Sequence, residues 1–306
     1  MNLKKSGFSK FAWAALVYNL FVILWGAFVR ASGSGAGCGN HWPLCNGELV
    51  PRPQQIETLI EFIHRISSGL TLVLAVILVV WAWRIFDRGM KIRWSAAAVL
   101  FFTVTEAIVG AALVLLQLTG TNTSVARAAS IVMHLVNTFL LLASLAVTAW
   151  LSSFKEPDRI KWQGSKSGLV VIAILGMIIL GGSGAITALG DTLFPSISLA
   201  EGFRQDVDST ANFLIRLRIY HPFIAITLGL YGGFVFTWLR RQAKTPPAKW
   251  LLSGVMTLFG IQLLLGGFNV VLLAPIWLQI IHLLVSNLIW IGAIWVLWLL
   301  LGDFAI

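Results

Sequence analysis

The chain has 306 residues, of which 58% are hydrophobic and only 11% are charged, and its mean hydropathy is +0.87. A soluble domain of this size needs a polar exterior that so few charged residues cannot supply, so the composition excludes a soluble globular protein. The formal net charge is +10. The positions of the basic residues account for this charge without a nucleic-acid partner, and some attraction to anionic lipid is expected.

Eight apolar runs are long enough to cross a membrane, since a spanning helix needs about 20 apolar residues. Only helices and closed barrels satisfy backbone hydrogen bonds in lipid, and these runs lack the alternation of barrel strands. The sequence therefore predicts an all-α membrane protein. Its spans are expected at about residues 11–29, 62–83, 95–117, 128–150, 169–189, 212–238, 250–273 and 276–301.

Basic residues cluster at one end of the predicted spans, where fifteen of the 22 Lys and Arg residues and every lysine are found. Positive charge is retained on the inner side of membranes, which predicts that this end and both termini are cytoplasmic. The inner group is Lys4, Lys5, Lys10, Arg84, Arg88, Lys91, Arg93, Lys155, Arg159, Lys161, Lys166, Arg240, Arg241, Lys244 and Lys249. The outer group is Arg30, Arg52, Arg65, Arg127, Arg204, Arg216 and Arg218.

The chain contains an internal repeat. The fourth and eighth spans share a pattern around His134 and His282, and the second and sixth spans begin near His64 and His221. We therefore predict two four-helix bundles related by a pseudo-twofold axis along the membrane normal. The predicted parts are an N-terminal half at 1–151, a cytoplasmic linker at 152–168 and a C-terminal half at 169–306.

Four of the five histidines fall one on each even-numbered span, within two or three turns of the predicted outer end. One membrane histidine often serves only as a hydrogen-bonding group between helices, but four at matching depth and repeat position are harder to explain in that way. Paired imidazoles on facing helices suit heme iron, whereas zinc would favour more ligands close together. We expect two iron-binding pairs, His64 with His134 and His221 with His282.

The odd-numbered spans carry glycines at positions that correspond to the histidines of the even-numbered spans. Close packing of helices through small residues is one interpretation. Room for a flat macrocycle is another, and both can hold. The residues concerned are Gly26, Gly110, Gly182 and Gly266.

The two halves differ beside their first histidine. Glu61 lies three residues before His64 and on the same helix face, whereas Arg218 lies three residues before His221. A carboxylate beside a bound heme can act as a base or stabilise developing positive charge, and an arginine favours permanent charge pairing. The N-terminal half is thus predicted to perform the chemistry and the C-terminal half to hold a resident heme, with Arg218 among the residues that bind this cofactor. A surface ion pair with Arg65 is the alternative for Glu61.

Arginines accompany the predicted heme ligands. Arg binds carboxylates in bidentate geometry, so these residues are candidates for pairing with heme propionates. Snorkelling to the outer headgroups is the other interpretation and is compatible with the first. The candidates are Arg65, Arg127 and Arg216.

Cys38 and Cys45, which are the two cysteines of the chain, lie in the predicted first outer loop. The oxidising side of the membrane favours a disulfide between them. A staple that stabilises the loop by about 2.5 kcal/mol is one interpretation. A redox-active pair beside the active site is the other, which an exposed and strained disulfide would support.

Together these features resemble the heme A synthase family over all eight spans. The resemblance is carried by the four helical histidines, Gly33-Ser-Gly35, the segment Gly-Cys-Gly-x-x-Trp-Pro-Leu-Cys-x-Gly at 37–47 and Glu61-x-x-His64-Arg65. The cysteine pair is similar to that of the bacterial subgroup, which implies a bacterial cell membrane. The family oxidises a methyl group of heme O to a formyl group, giving heme A for heme-copper oxidases, in successive steps with water as the oxygen source.

The resemblance also implies roles for individual residues. His64 and His134 would hold the substrate heme O, and His221 and His282 a heme b. Glu61 would be the essential acid, and Cys38 with Cys45 a disulfide that takes part in turnover. The implied partners are heme O, a heme O synthase, membrane lipid and an electron acceptor, with homo-oligomerisation left open.

Glu106 departs from the family pattern, in which glutamine is more usual, and its repeat partner here is Gln262. A carboxylate within the membrane is costly unless it is protonated or paired. Glu106 is therefore expected to be either a neutral hydrogen-bonding group or part of a proton path.

Two other functions fit part of the pattern. A di-heme b membrane cytochrome that only passes electrons would carry the same four histidines, but it does not account for Glu61 or for the one-sided cysteine loop. A transporter built from repeats would more often show broken helices and polar groups at the midplane. Here the polar layer is expected near the outer surface.

Overall fold

A computed structural model describes residues 3–52, 55–154 and 160–302 of the chain. Within these ranges a short 3-10 turn at Ser34–Ala36 interrupts the first loop, and ten α-helices are present. They are α1 Leu3–Ala31, α2 Ile56–Ile85, α3 Lys91–Leu115, α4 Val125–Ser153, α5 Ser165–Leu193, α6 Leu199–Val207, α7 Phe213–Arg218, α8 Tyr220–Gln242, α9 Pro246–Val271 and α10 Ile276–Leu301. Several predictions concern positions outside the described residues, namely Lys155 and Arg159, the side chain of Lys4, part of the linker at 152–168 and the last residues of the C-terminal half, 303–306.

Eight helical segments of the described chain are long and apolar enough to cross a membrane, with α7 and α8 counted together as one. The prediction of an all-α, multi-pass membrane protein is confirmed. The sixth span contains a break that was not predicted, because α7 ends at Arg218 and α8 begins at Tyr220. Pro222 explains it: proline has no backbone N–H, and its ring clashes with the carbonyl four residues earlier, that of Arg218.

Each half of the molecule forms a ring of four spans. Helices α1 and α3 both pack against α2 and α4, and helices α5 and α9 both pack against α8 and α10. The halves meet through α1 and α4 on one side and α5 and α10 on the other. The pattern of neighbours is the same in both halves, as a pseudo-twofold relation between two four-helix bundles requires.

The contact between the halves combines aromatic packing with hydrogen bonds. Trp290 on α10 is 2% exposed and stacks on Phe139 of α4, with ring centroids 4.6 Å apart. Its indole N–H donates to the carbonyl oxygen of Phe139 at 2.8 Å. Arg30 on α1 donates to the carbonyl of Ala188 and the hydroxyl of Thr192 on α5, at 2.6 and 2.7 Å. The first half therefore contacts the second at two separate places, α4 with α10 and α1 with α5.

We expect Trp290→Ala to lower the free energy of unfolding by about 3 kcal/mol or more, because it removes the stack and leaves a cavity between the halves. Unfolding of the purified protein in mixed detergent micelles measures this loss. Trp250 on α9 is 77% exposed, so Trp250→Ala is the matched control and should change stability by no more than about 0.5 kcal/mol. Equal losses in the two variants would contradict the assignment of Trp290 to the contact between the halves.

Candidate functional site

The first loop contains the predicted disulfide between Cys38 and Cys45. Its two cysteines are 0% and 1% exposed. The redox interpretation of the pair relied on an exposed disulfide, and the structure instead buries both sulfur atoms beneath the loop. A partner protein therefore has no direct access to the disulfide in this conformation.

The cysteine loop, residues 37–47, packs against the first turns of α2. The hydroxyl of Thr58 donates to the carbonyl oxygen of Gly37 at 2.8 Å. A Cβ atom on Gly37 would lie 2.5 Å from the backbone carbon and oxygen of Glu57. Only glycine therefore permits the loop to approach the backbone of α2 this closely, which places Cys38 directly above Glu61.

Glu61 is held between the loop and its own helix, and it is only 4% exposed. Its Oε2 accepts a hydrogen bond from the backbone N–H of Cys38 at 2.8 Å. Its Oε1 accepts from Nη2 of Arg65 at 2.6 Å. The ion pair that was considered as an alternative for Glu61 is present, but it is buried rather than on the surface. Every hydrogen-bond partner of the carboxylate is a donor, so both of its oxygens are satisfied as acceptors.

Arg65 also connects α2 to the cysteine loop. Its Nη1 donates to the carbonyl oxygens of His41 and Leu44, each at 2.6 Å. Together with its bonds to Glu61, these contacts occupy most of the guanidinium. Arg65 therefore links the loop to the carboxylate, a role that the sequence did not predict.

The four helical histidines are half-buried. His64 on α2 and His134 on α4 belong to one ring of spans, and His221 on α8 and His282 on α10 belong to the other. His41, the fifth histidine, is exposed in the cysteine loop. The structure thus brings one histidine pair into each four-helix bundle.

A glycine on the preceding span lies against the ring of each histidine. An added Cβ atom would approach Cε1 of His64 to 2.8 Å from Gly26 and Cε1 of His221 to 2.9 Å from Gly184. The corresponding distances are 3.8 Å from Gly110 to His134 and 3.4 Å from Gly266 to His282. Gly26 and Gly184 therefore make room for the imidazoles, whereas a Cβ atom at Gly110 or Gly266 would make only ordinary van der Waals contact.

One of these glycines differs from the prediction, which named Gly182. Gly182 faces Val132 of α4 across the contact between the halves, and Gly184 faces His221. Residues two apart on a helix point in nearly opposite directions. Gly182 therefore lies at the contact between the halves, and Gly184 lies against the histidine.

The ring nitrogens of the histidines have unused bonding capacity. Within the described residues, Nδ1 of His64, His134 and His282 is buried without a hydrogen-bond partner. Nδ1 of His221 lies 3.0 Å from the hydroxyl of Ser183. Buried polar atoms without partners are costly and call for an explanation such as a bound group.

Paired imidazoles in a helical bundle fit a heme iron, which takes two axial nitrogen ligands. Across the ranges that the structure describes, no three His, Cys, Asp or Glu side chains are grouped so that they could hold a metal ion. The donor set is therefore two separate pairs, which suits heme better than it suits zinc.

Two of the three propionate candidates keep free hydrogen-bond donors. Arg127 is 5% exposed, and its Nη1 donates to the carbonyls of Gly120 and Asn122 at 2.6 and 2.7 Å. Its Nε is buried without a partner among the described residues. Arg216 is exposed at the end of α7. Both cations remain able to bind a carboxylate.

Arg218 has a different environment from the one that the sequence suggested. Its guanidinium is paired with Asp191 of α5 at 2.9 Å and with Asp206 of α6 at 2.7 Å. These two carboxylates were missed because they lie 27 and 12 residues away in the chain. Arg218 therefore fastens α6 and the end of α5 beside His221, and two carboxylates already balance its charge.

Glu106 contacts the second histidine of the N-terminal half. Its Oε1 lies 3.4 Å from Nδ1 of His134, and it accepts a hydrogen bond from the hydroxyl of Thr138. In the other half, Nε2 of Gln262 lies 3.1 Å from Nε2 of His282. Glu106 on α3 and Gln262 on α9 thus occupy matching places in the repeat, but the carboxylate faces Nδ1 of His134 and the amide faces Nε2 of His282.

Comparison with known proteins places the chain in a family. Residues 9–294 match the COX15-CtaA family, described as cytochrome oxidase assembly protein. A protoheme IX farnesyltransferase of Thermus thermophilus is 47% identical over 281 residues, which are 92% of this chain and 46% of that protein. The chain thus spans about half the length of this relative.

Shorter matches connect the chain to two heme A synthases. The heme A synthase of Lysinibacillus sphaericus is 41% identical over 105 residues, 34% of each chain. That of Geobacillus kaustophilus is 42% identical over 104 residues, 34% of this chain and 33% of the relative. The family match covers nearly the whole chain and all eight spans, which confirms the family resemblance predicted from the cysteine loop and the histidines. The chain belongs to the COX15-CtaA family of cytochrome oxidase assembly proteins.

Proposed function

We propose that this protein is a heme A synthase that oxidises a methyl group of heme O to a formyl group. The observation that carries the proposal is the buried carboxylate of Glu61, held by Cys38 and Arg65 one helical turn from His64. Arg218, bound to two aspartates, occupies the matching place in the other half. The names of the Lysinibacillus and Geobacillus relatives support the same activity.

The Thermus relative is named for a different reaction, the farnesylation of protoheme IX. More than half of that protein lies outside the part that matches this chain, and we assign the farnesyl transfer to that remaining part. Farnesylated heme is the substrate that a methyl oxidase of this kind needs. We therefore propose a heme O synthase as a partner that supplies this substrate.

The proposed sites follow the two halves of the fold. His64 and His134 hold the substrate heme O, and His221 and His282 hold a heme b, whose iron exchanges single electrons when it is bound. Arg127 and Arg216 pair with propionates through the donors that they keep free. Arg65 and Arg218 act indirectly, because they fix the segments that surround each site.

Conversion of a methyl to a formyl group with water as oxygen source obeys CH3 + H2O → CHO + 4 H⁺ + 4 e⁻. The four electrons pass to an acceptor, and the protons need a base near the methyl group. Glu61 is placed to accept a proton from water or to stabilise positive charge at the reacting carbon. Arg65 and the N–H of Cys38 fix its carboxylate in position.

We propose that Cys38 and Cys45 contribute to turnover chiefly by holding the loop whose backbone binds Glu61. Both sulfur atoms are buried, so direct thiol exchange during turnover would require the loop to open. The pair thereby links the redox state of the loop to the position of the carboxylate.

The basic residues support an orientation with both termini in the cytoplasm of a bacterium and with the cysteine loop outside. We expect a membrane-impermeant thiol reagent, applied to intact cells or spheroplasts, to label Cys38 and Cys45 only after reduction of the disulfide. The double variant Cys38→Ser/Cys45→Ser is the control and should stay unlabelled. Labelling that occurs only from the cytoplasmic side of inverted vesicles would overturn the orientation.

Glu61→Gln keeps the size of the side chain and an acceptor for the Cys38 N–H but removes the negative charge. We expect a folded protein that accumulates heme O or a partly oxidised product. Heme A formation should fall more than a hundredfold, because a loss of about 3 kcal/mol in transition-state stabilisation has that effect. Chromatography of hemes extracted from membranes measures the outcome.

Thr58→Val is the matched control for Glu61→Gln, because it removes a hydrogen bond of the loop to α2 and leaves the carboxylate in place. It should retain much of the heme A formation. If Glu61→Gln makes near-normal heme A, or if both variants lose it equally, Glu61 acts as a loop anchor and not as a base.

Replacing His221 or His282 by Ala should remove the absorbance of the low-spin heme assigned to the C-terminal half, since each variant deletes one axial ligand. Optical spectra of the purified protein measure this loss. His41→Ala alters an exposed loop histidine and should leave the spectrum unchanged. Unaltered spectra in both helical variants would refute the assignment of the heme b site.

A further inference from the structure

We infer that Glu106 is a positioning residue that lowers the reduction potential of the heme held by His134, so that the two halves differ in potential. The inference rests on the proposed ligation of heme by the two histidine pairs. It concerns a carboxylate that contacts the ligand from behind and has no part in the chemistry assigned to Glu61.

The carboxylate of Glu106 is held by a chain of hydrogen bonds between α3 and α4. The hydroxyl of Thr105 donates to Oδ1 of Asn137 at 2.6 Å, which fixes the orientation of that amide. The NH2 group of Asn137 therefore faces Glu106 and donates to its Oε2 at 2.5 Å. The hydroxyl of Thr138 approaches Oε1. These hydrogen bonds hold the carboxylate in a position that faces His134.

Behind the ring of His134, Oε1 of Glu106 lies 3.4 Å from Nδ1. That nitrogen makes no hydrogen bond within the described chain, and a small rotation of the ring would direct its N–H at the carboxylate. A carboxylate behind a ligating imidazole makes the ligand more basic and fixes its tautomer. A more basic ligand favours the oxidised iron, which lowers the reduction potential.

The C-terminal half differs at three of the four matching positions, while Ser286 in place of Thr138 retains a hydroxyl. Gln262 replaces Glu106 and places a neutral amide beside His282. Repeat alignment on Gln262 and His282 puts Ile261 in place of Thr105 and Val285 in place of Asn137. The hydrogen-bond chain that holds the carboxylate is therefore specific to the N-terminal half.

A lower reduction potential in the N-terminal half than in the C-terminal half determines the direction of electron transfer. Oxidation of a methyl group releases electrons in the N-terminal half, where Glu106 makes the heme the poorer electron acceptor of the two. The heme beside Gln262 is the better acceptor, so electrons move away from the substrate site. The different residues beside His134 and His282 thereby set the direction of electron transfer, from the N-terminal site to the C-terminal site.

Two substitutions test the inference, each of which gives one half the residue found at the matching position of the other. They are made in the full-length chain, purified in detergent and loaded with added hemin. His282→Ala provides a background in which the N-terminal pair binds heme, and His134→Ala provides the opposite one. Glu106→Gln in the first background should raise the midpoint potential. Gln262→Glu in the second should lower it. We expect each reduction equilibrium to shift about tenfold or more, which is 59 mV for a one-electron couple.

Glu48→Gln is the matched control, because it removes a carboxylate that is exposed on the cysteine loop, and it should leave both potentials unchanged. Bound hemin with unchanged potentials in both exchange variants would overturn the role of Glu106 and leave the proposed ligation intact. Shifts in the unexpected direction would overturn it as well. Failure of the unsubstituted protein to bind hemin through these histidines would refute the proposed ligation and this inference together.

Discussion

Lipid offers no hydrogen-bond partners, and this constraint determines where a protein of this kind can place its polar groups. The described spans satisfy most of their polar side chains through carbonyls and hydroxyls of neighbouring helices, as Tyr18 and Trp25 of α1 do with α2. Three of the four helical histidines nevertheless keep a buried ring nitrogen without a partner. A group bound at the other ring nitrogen would leave these Nδ1 atoms to a neighbouring acceptor, such as Glu106 beside His134.

The two halves share one scaffold and differ in the residues attached to it. In both, a glycine on one span receives the ring of a histidine on the next, so the positions of the histidines are set by helix packing alone. The N-terminal half adds the cysteine loop and two carboxylates, Glu61 and Glu106. The C-terminal half adds Arg218 with its two aspartates, which bind α6 to the bundle. Symmetry supplies two similar sites, and under the proposed function these additions make one of them reactive.

Much of this organisation could be predicted because it depends on local sequence patterns. Length and hydropathy indicate the spans, and the repeat indicates the histidine pairs. Contacts between distant segments could not be predicted in this way, such as the bond from the Cys38 N–H to Glu61 or the reach of Arg30 into the other half. The burial of the disulfide, the break before Tyr220 and the choice of Gly184 over Gly182 also depend on how the helices pack.

The central claim is that a protein built as a symmetric pair of heme sites modifies heme and does not only pass electrons. The most direct measurement is expression of the intact protein together with a heme O synthase, followed by analysis of the hemes extracted from the membranes. The account predicts that heme A appears when both proteins are present and is absent when either is omitted. Heme b and unmodified heme O alone, with the protein present and folded, would contradict it and would indicate a di-heme cytochrome.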